Sequence, residues 1–176
     1  MKKEKIETFD YDSEIEYGSK YKFDKYDKLI IKELDKNARV QLSEISKKVK
    51  LSRDAIRNRI QKMVTAKVIS SFKPVLQPPL LGFPIVNYVC ISISNPTIKN
   101  ETDFLNYLKA NKHVTYVASL IGKWDFILDI MAENQGQFER ILKDIRQKFP
   151  DLIKDYEVYG VLQEYKYEEI GKLIYE

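Results

Sequence analysis

Residues 53–61 place Arg53 and Arg57 four apart, Asp54 and Asn58 four apart, and Gln61 three beyond Asn58. On a helix, residues at such spacings share a face. Their types fit the edges of base pairs: Arg to guanine, Asn or Gln to adenine, Asp to cytosine. Nearby stand Arg39, Lys47, Lys48, Arg59 and Lys62, cations suited to phosphates, which position a protein on a duplex without specifying sequence. Ser52 is a helix N-cap type and would leave that helix N-terminus beside the phosphates. Arg59 has a second reading, as a structural residue packed against the preceding helix. An ordinary solvated polar face is the alternative for the whole group, and the charge distribution weighs against it. Residues 37–76 hold ten Lys/Arg and two Asp/Glu, a net +8, whereas residues 1–36 carry −1 and residues 85–176 carry −3. A cationic patch of this kind attracts a polyanion and releases its counterions, so double-stranded DNA is the expected partner.

The elements that must hold these residues are legible as apolar stripes. Leu42, Ile45 and Val49 form one, and Ile56, Ile60 and Met63 form the next; with the tight turn between them they make a helix-turn-helix pattern, whose second helix enters the major groove. Upstream, Asp24 and Asp27 open a helix on which Phe23, Tyr26, Ile30 and Leu34 recur at helical spacing, stopping near Asn37. Downstream, residues 68–75 with Ile69, Phe72 and Val75 read as a strand or wing. Residues 1–22 read as an N-terminal tail and 23–75 as the DNA-binding domain. The run LQPPLLGFP at 76–84 reads as a stiff linker, since three prolines and a glycine end any regular element.

Residues 85–176 follow a different pattern. β-branched, apolar runs at 85–94, 114–121, 124–131 and 153–165 alternate with helical stripes at 101–111 and 138–149. The order is β-α-β-β-α-β, a ferredoxin-like domain, and Gly122-Lys123 reads as a two-residue hairpin turn. The fold class is therefore α+β, an N-terminal (winged) helix-turn-helix followed by a ferredoxin-like domain. On strand one Val89, Ile91 and Ile93 share a face opposite Tyr88, Cys90 and Ser92. On strand three Trp124, Phe126, Leu128 and Ile130 oppose Asp125, Ile127, Asp129 and Met131. Both faces carry apolar groups, and one layer of two helices covers only one of them, so a second copy of the domain is the expected cover, giving a homodimer.

Signals for catalysis are poor. The chain has one histidine, His113, and one cysteine, Cys90, too few for a common zinc site, and it has no phosphate-cradling glycine motif. No metal, no cofactor and no enzymatic activity are expected. Cys90 permits no internal disulfide, which fits a reducing cytosol. No apolar run reaches the ~18 residues needed to cross a bilayer, and the N-terminal lysines precede no apolar core of a secretory signal. A cytoplasmic protein without a membrane partner is the expectation.

Domain order and local motifs together resemble the Lrp/AsnC family, the leucine-responsive and asparagine-responsive transcription regulators of bacteria and archaea. The matching residues are FDKYDKLIIKELDKNAR (23–39), SEISKKVKLSRDAIRNRIQKM (43–63), Val68-Ile69, Leu81-Gly82, IGKWDFIL (121–128) and VLQEYKY (161–167). The resemblance implies a sequence-specific regulator that dimerises through its second domain and assembles further into tetramers or octamers. It also implies an amino acid or similar effector bound at contacts between dimers, with Gly122, Lys123 and Asp125 on the hairpin that helps line the pocket. From the residues alone, Asp125 either accepts from a ligand ammonium or merely caps the turn. The chain departs from the family at Lys50 and Lys67, where glycine is usual, and in the fourth strand, where Tyr156, Glu157 and Tyr159 replace small hydroxyl residues. Two alternatives follow. One is a siroheme-decarboxylase-like enzyme of the same architecture, for which the second domain offers only His113, Arg140 and Arg146. The other is an architectural DNA-binding protein that senses no effector.

Overall fold

The computed structural model describes residues 20–166 and 170–175. Most of the tail expected at 1–22 lies outside the described residues. The chain divides into two compact units, one of residues 1–75 with 167–176 and the other of residues 76–166.

The first unit is helical. Helix α1 (Lys25–Lys36) begins at a capping box: Asp24 accepts from the backbone N–H of Tyr26 and Asp27, and Asp27 accepts in return from the Asp24 N–H. Three backbone donors at the start of the helix are thereby satisfied. Helices α2 (Leu42–Val49) and α3 (Arg53–Thr65) follow. Their stripes converge with that of α1 on a centre of Ile30, Ile45, Val49, Ile56 and Met63, with Leu34, Leu42 and Ile60 half-buried around it. The strand or wing expected at 68–75 is absent. The N–H groups of Val68 and Ile69 fold back to the Met63 carbonyl, and the residues beyond run without a ladder, because no other described strand lies in this unit to pair with.

The second unit opens with a 3₁₀ turn at Pro78–Leu81. The strands β1 (Ile85–Ile93), β2 (Val114–Ser119), β3 (Phe126–Ala132) and β4 (Ile153–Gly160) form one antiparallel sheet in the order β2-β3-β1-β4. Helices α4 (Ile98–Ala110) and α5 (Gln135–Lys148) supply Phe104, Leu108, Phe138, Ile141 and Ile145 to a core shared with Val89, Ile91, Phe126, Leu128 and Ile130 of the sheet. Helix α4 starts three residues before the stripe that announces it, because Thr97 and Asn100 form a capping box of their own.

Other boundaries also differ from the sequence reading. The β2–β3 connection is not a two-residue turn; it spans 120–125, closed by the Leu120 N–H on the Asp125 carbonyl at 2.8 Å. Strand β4 stops at Gly160 rather than 165, because its partner β1 begins at Ile85 and offers one further acceptor, the Val86 carbonyl, to Val161. The assignment of all of 85–176 to the ferredoxin-like domain is corrected at its end. A short helix α6 (Lys172–Tyr175) belongs to the first unit, where Tyr175 donates its hydroxyl to Asp35 of α1.

Candidate nucleic-acid interface and effector loop

The turn between α2 and α3 is built by side chains as well as backbone. Lys50 ends α2 in the left-handed region, φ 57°, and returns its N–H to the Ser46 carbonyl. The Ser46 hydroxyl donates to the Leu51 carbonyl at 2.5 Å. Ser52 then caps α3 by accepting from the Ala55 N–H. Lys50 and Lys67 both hold positive φ, so the two departures from the family's glycines keep a glycine conformation, at about 1–2 kcal/mol each.

Burial of Ile56 and Met63 sets the rotation of α3 and leaves Arg53, Asp54, Arg57, Asn58 and Gln61 all exposed. Arg57 donates to Asp54 at 2.5 Å along the helix, an exposed pair that holds two long side chains at little net energy. Gln61 reaches Thr65 at 3.5 Å. Of the residues assigned to phosphates, Arg39, Lys47, Lys48, Ser52 and Lys62 are exposed, and Arg59 is half-buried.

Arg59 takes the second of its two readings. Its guanidinium donates to Asp24 and to buried Asp27, both at 2.7 Å, and lies 5.4 Å from the centre of the Tyr26 ring. It ties α3 to the start of α1. These contacts hold the guanidinium still more firmly charged, and the Asp27 N–H, then Arg59, hold the Asp24 carboxyl below its ordinary range. Lys48 is likewise engaged, pairing with Glu33 of α1, which Lys36 also meets. The Lys48 hydrogen bond is the main reason the Glu33 carboxyl is lowered. Sequence spacing could not show these ties, since the partners lie 35, 32 and 15 residues apart.

On the other unit, Gly122, Lys123 and Asp125 lie together on the exposed 120–125 loop. Gly122 has φ 144° with open space where a Cβ would stand, so backbone conformation alone asks for glycine there. The Asp125 carboxylate accepts the Ile93 N–H at 2.8 Å, and the Asp125 N–H donates to Ile91. The residue thus performs the structural task that the sequence left open. Lys123 sits 4.4 Å from the Trp124 ring centre and 3.8 Å from Glu157 of β4. Neighbouring Ile121 is fully exposed.

The sheet face away from the helices carries two cross-strand rows. One runs Tyr116, Asp129, Tyr88, Tyr159; the other runs Ala118, Ile127, Cys90, Glu157. Burial pushes up the Asp129 carboxyl, and nearby Glu164 adds to that while Thr115 opposes it. Burial likewise raises the Cys90 thiol, and Glu157 reinforces it. No group of three or more His, Cys, Asp or Glu among the described residues is arranged for a metal. His113 is occupied by a 3.0 Å contact with the Met131 carbonyl. No described helix is long and apolar enough to cross a membrane.

Comparison with known proteins matches residues 23–64 to the AsnC-type helix-turn-helix domain and residues 87–170 to the Lrp/AsnC ligand binding domain. The HTH-type transcriptional regulator FL11 of Pyrococcus furiosus is 30% identical over 119 residues, covering 68% of this chain and 77% of that protein. The proline dehydrogenase transcriptional activator of Rhizobium radiobacter is 23% identical over 143 residues, covering 81% and 91%. Among solved structures, AsnC of E. coli superposes with a TM-score of 0.74 at 24% identity, over 84% of this chain and 97% of that one. A transcriptional regulator of Neisseria meningitidis in complex with L-Met gives 0.75 at 22%, over 83% and 94%. Both likenesses extend to the fold. With a helix-turn-helix unit and a βαββαβ unit in that order, each matched by its own family model, the chain belongs to the Lrp/AsnC family of transcriptional regulators.

Proposed function

We propose that α3 reads duplex DNA through Arg53, Asp54, Arg57, Asn58 and Gln61, while Arg39, Lys47, Ser52 and Lys62 hold the phosphates. The observation that carries this reading is the rotation of α3: burying Ile56 and Met63 turns all five base-matching side chains to solvent. Arg59 stays out of the contact set, because moving it to a phosphate would strand buried Asp27. Lys48 contributes only by giving up Glu33. The second unit takes part by binding and assembly rather than by catalysis. Its open sheet rows, half apolar and half buried, suit a second copy of the chain, and the resulting homodimer brings two helix-turn-helix units to two half-sites. Further assembly to tetramers or octamers would extend this.

An amino-acid effector is the natural ligand for the 120–125 loop, by analogy with the L-Met complex of the Neisseria regulator. Lys123 offers a cation for an α-carboxylate. Asp125 offers its carboxylate to an α-ammonium while it retains Ile93. Such a ligand acts by favouring one assembly over another, and so changes the spacing of DNA-binding units. The cytosol is where a regulator of this kind works.

Selection from a random duplex pool by the purified protein, followed by titration across salt, tests the reading. Affinity falls steeply with salt as counterions are released. Arg57→Ala costs about 1–3 kcal/mol on the selected site and much less on random DNA, whereas Lys47→Ala weakens both alike. Equal losses for both variants on both DNAs would remove α3 as the reader. Repeating the titration with each amino acid present tests the effector.

A further inference from the structure

Within the sheet unit, the last turns of α5 and the start of β4 border a hollow whose cations have no acid to meet. Arg146 and Gln147 stand three and four residues beyond Lys143, so the three share one face of the helix. With Pro150 and Ile153 they enclose an open space of about 500 Å³, and no acidic residue lines it. Tyr156 of β4 fixes one of the cations. The Arg146 guanidinium lies 4.5 Å from the centre of the Tyr156 ring and donates to its hydroxyl at 3.0 Å. Tyr156 is itself packed against the core, so the guanidinium has a firm support. One N–H is engaged this way, and the planar fork has others to offer. No carboxylate pairs with Lys143 or Arg146 among the described residues. Asp155, the acid beside Tyr156, accepts the Tyr156 N–H at 2.8 Å. Arg59 and Lys48 of the first unit are, by contrast, both paired with carboxylates.

We propose that this hollow binds a small organic carboxylate, with Arg146 and Lys143 on the carboxylate, Gln147 donating its amide N–H, and Pro150 and Ile153 against the apolar body. A guanidinium fork matches a planar carboxylate in two parallel hydrogen bonds. The cations stand at the negative end of α5, which favours one negative charge over the two of a phosphate monoester. An amino acid is disfavoured, because its ammonium would lie among cations with no acid in the lining to receive it. The site shares no residue with the 120–125 loop and takes a different class of ligand.

The test titrates the whole protein, followed by amide NMR, with 4-methylpentanoate and three probes that divide its chemistry. Leucine adds an ammonium to the same skeleton, 4-methylpentanol removes the charge, and inorganic phosphate removes the apolar body. 4-Methylpentanoate shifts residues 143–153 saturably in the millimolar range, as suits so small a ligand, and the other three bind there about tenfold or more weakly. Arg146→Met, at an exposed position, keeps the melting temperature and weakens 4-methylpentanoate about tenfold or more. Lys143→Met weakens it while leaving the Arg146–Tyr156 contact in place. Tyr156→Phe keeps the ring and loses only the hydroxyl, and falls between the original protein and Arg146→Met. The proposal is overturned if no saturable shift occurs at 143–153, if leucine or phosphate binds there as tightly, or if Arg146→Met binds the carboxylate unchanged. Shifts confined to residues 120–125 would belong to the effector loop and overturn it too. Failure of the protein to bind DNA would remove the proposed function and leave this result standing.

Discussion

Among the described residues, five buried apolar side chains centre the helix-turn-helix unit, against thirteen in the sheet unit. The first unit makes up part of the difference with charge. Arg59 bridges α3 to Asp24 and Asp27, and Glu33 receives Lys36 and Lys48. The sheet unit relies instead on stacked rings and aliphatics, with Phe104 in edge contact with Phe126 and Phe149. Small domains bury too little apolar surface to be held by it comfortably, and here the smaller core is the one surrounded by ion pairs. The basic helix α3 is thereby mounted on a frame in which Asp24, Asp27 and Glu33 are each paired with a cation.

The largest break in this comparison comes from the sheet unit's core. Phe104→Ala should cost about 3–5 kcal/mol, lowering the denaturant midpoint of the sheet unit while the α1–α3 signals follow their original transition. Arg59→Met attacks the other frame. It leaves Asp27, 6% exposed, without its cation, and should cost the helix-turn-helix unit about 1.5–3 kcal/mol. That is the range for hydrogen bonds to charged groups, and partial solvent access to Arg59 keeps the loss there. On DNA at low temperature the folded Arg59→Met protein should retain the site preference that Arg57→Ala loses. A shift of the sheet transition by Arg59→Met would show that the two frames are not separate.

Acid gives the smallest and most selective effect. Asp24 and Glu33 are lowered from ordinary values of 3.8 and 4.5, so their contribution is present above those values and lost as pH falls through the lowered ones. Asp129 is raised from 3.8, so its contribution runs the other way, present below 3.8 and lost as pH rises through the raised value. Titration from pH 6 towards 3 should therefore weaken the helix-turn-helix unit first, while Asp129 works in favour of the sheet unit. Thermal unfolding followed at resolved residues of each unit checks the order. Asp129→Asn should remove the opposite-signed component from the sheet unit alone.

What could be read from the sequence was what repeats locally. The Asp24 and Ser52 caps, the stripes of α1 to α3 and the alternation on β1 and β3 lie within a few residues of one another, and the structure places them as read. The exposed face of α3 followed from the same periodicity. What failed depends on distant partners. Residues 68–75 have strand composition but no neighbour to pair with. Asp125 is drawn to β1 by Ile91 and Ile93, which lengthens the loop beyond a two-residue turn. The return of 170–175 to α1 rests on the Tyr175–Asp35 bond, 140 residues apart in sequence. Only Arg59 offered a hint, as a cation on the half-buried side of a basic helix.

The pairing of β1 with β4 has a consequence for synthesis. The three-helix centre has all its residues once position 69 has been made, and its contacts are local, which favours rapid folding. The sheet must wait for residue 160, because β4 closes on the first strand and not on its neighbour in sequence. Those roughly ninety residues take about 5–20 s to translate. For that interval a growing chain carries a complete three-helix centre and a β1 whose edge towards β4 is unpaired.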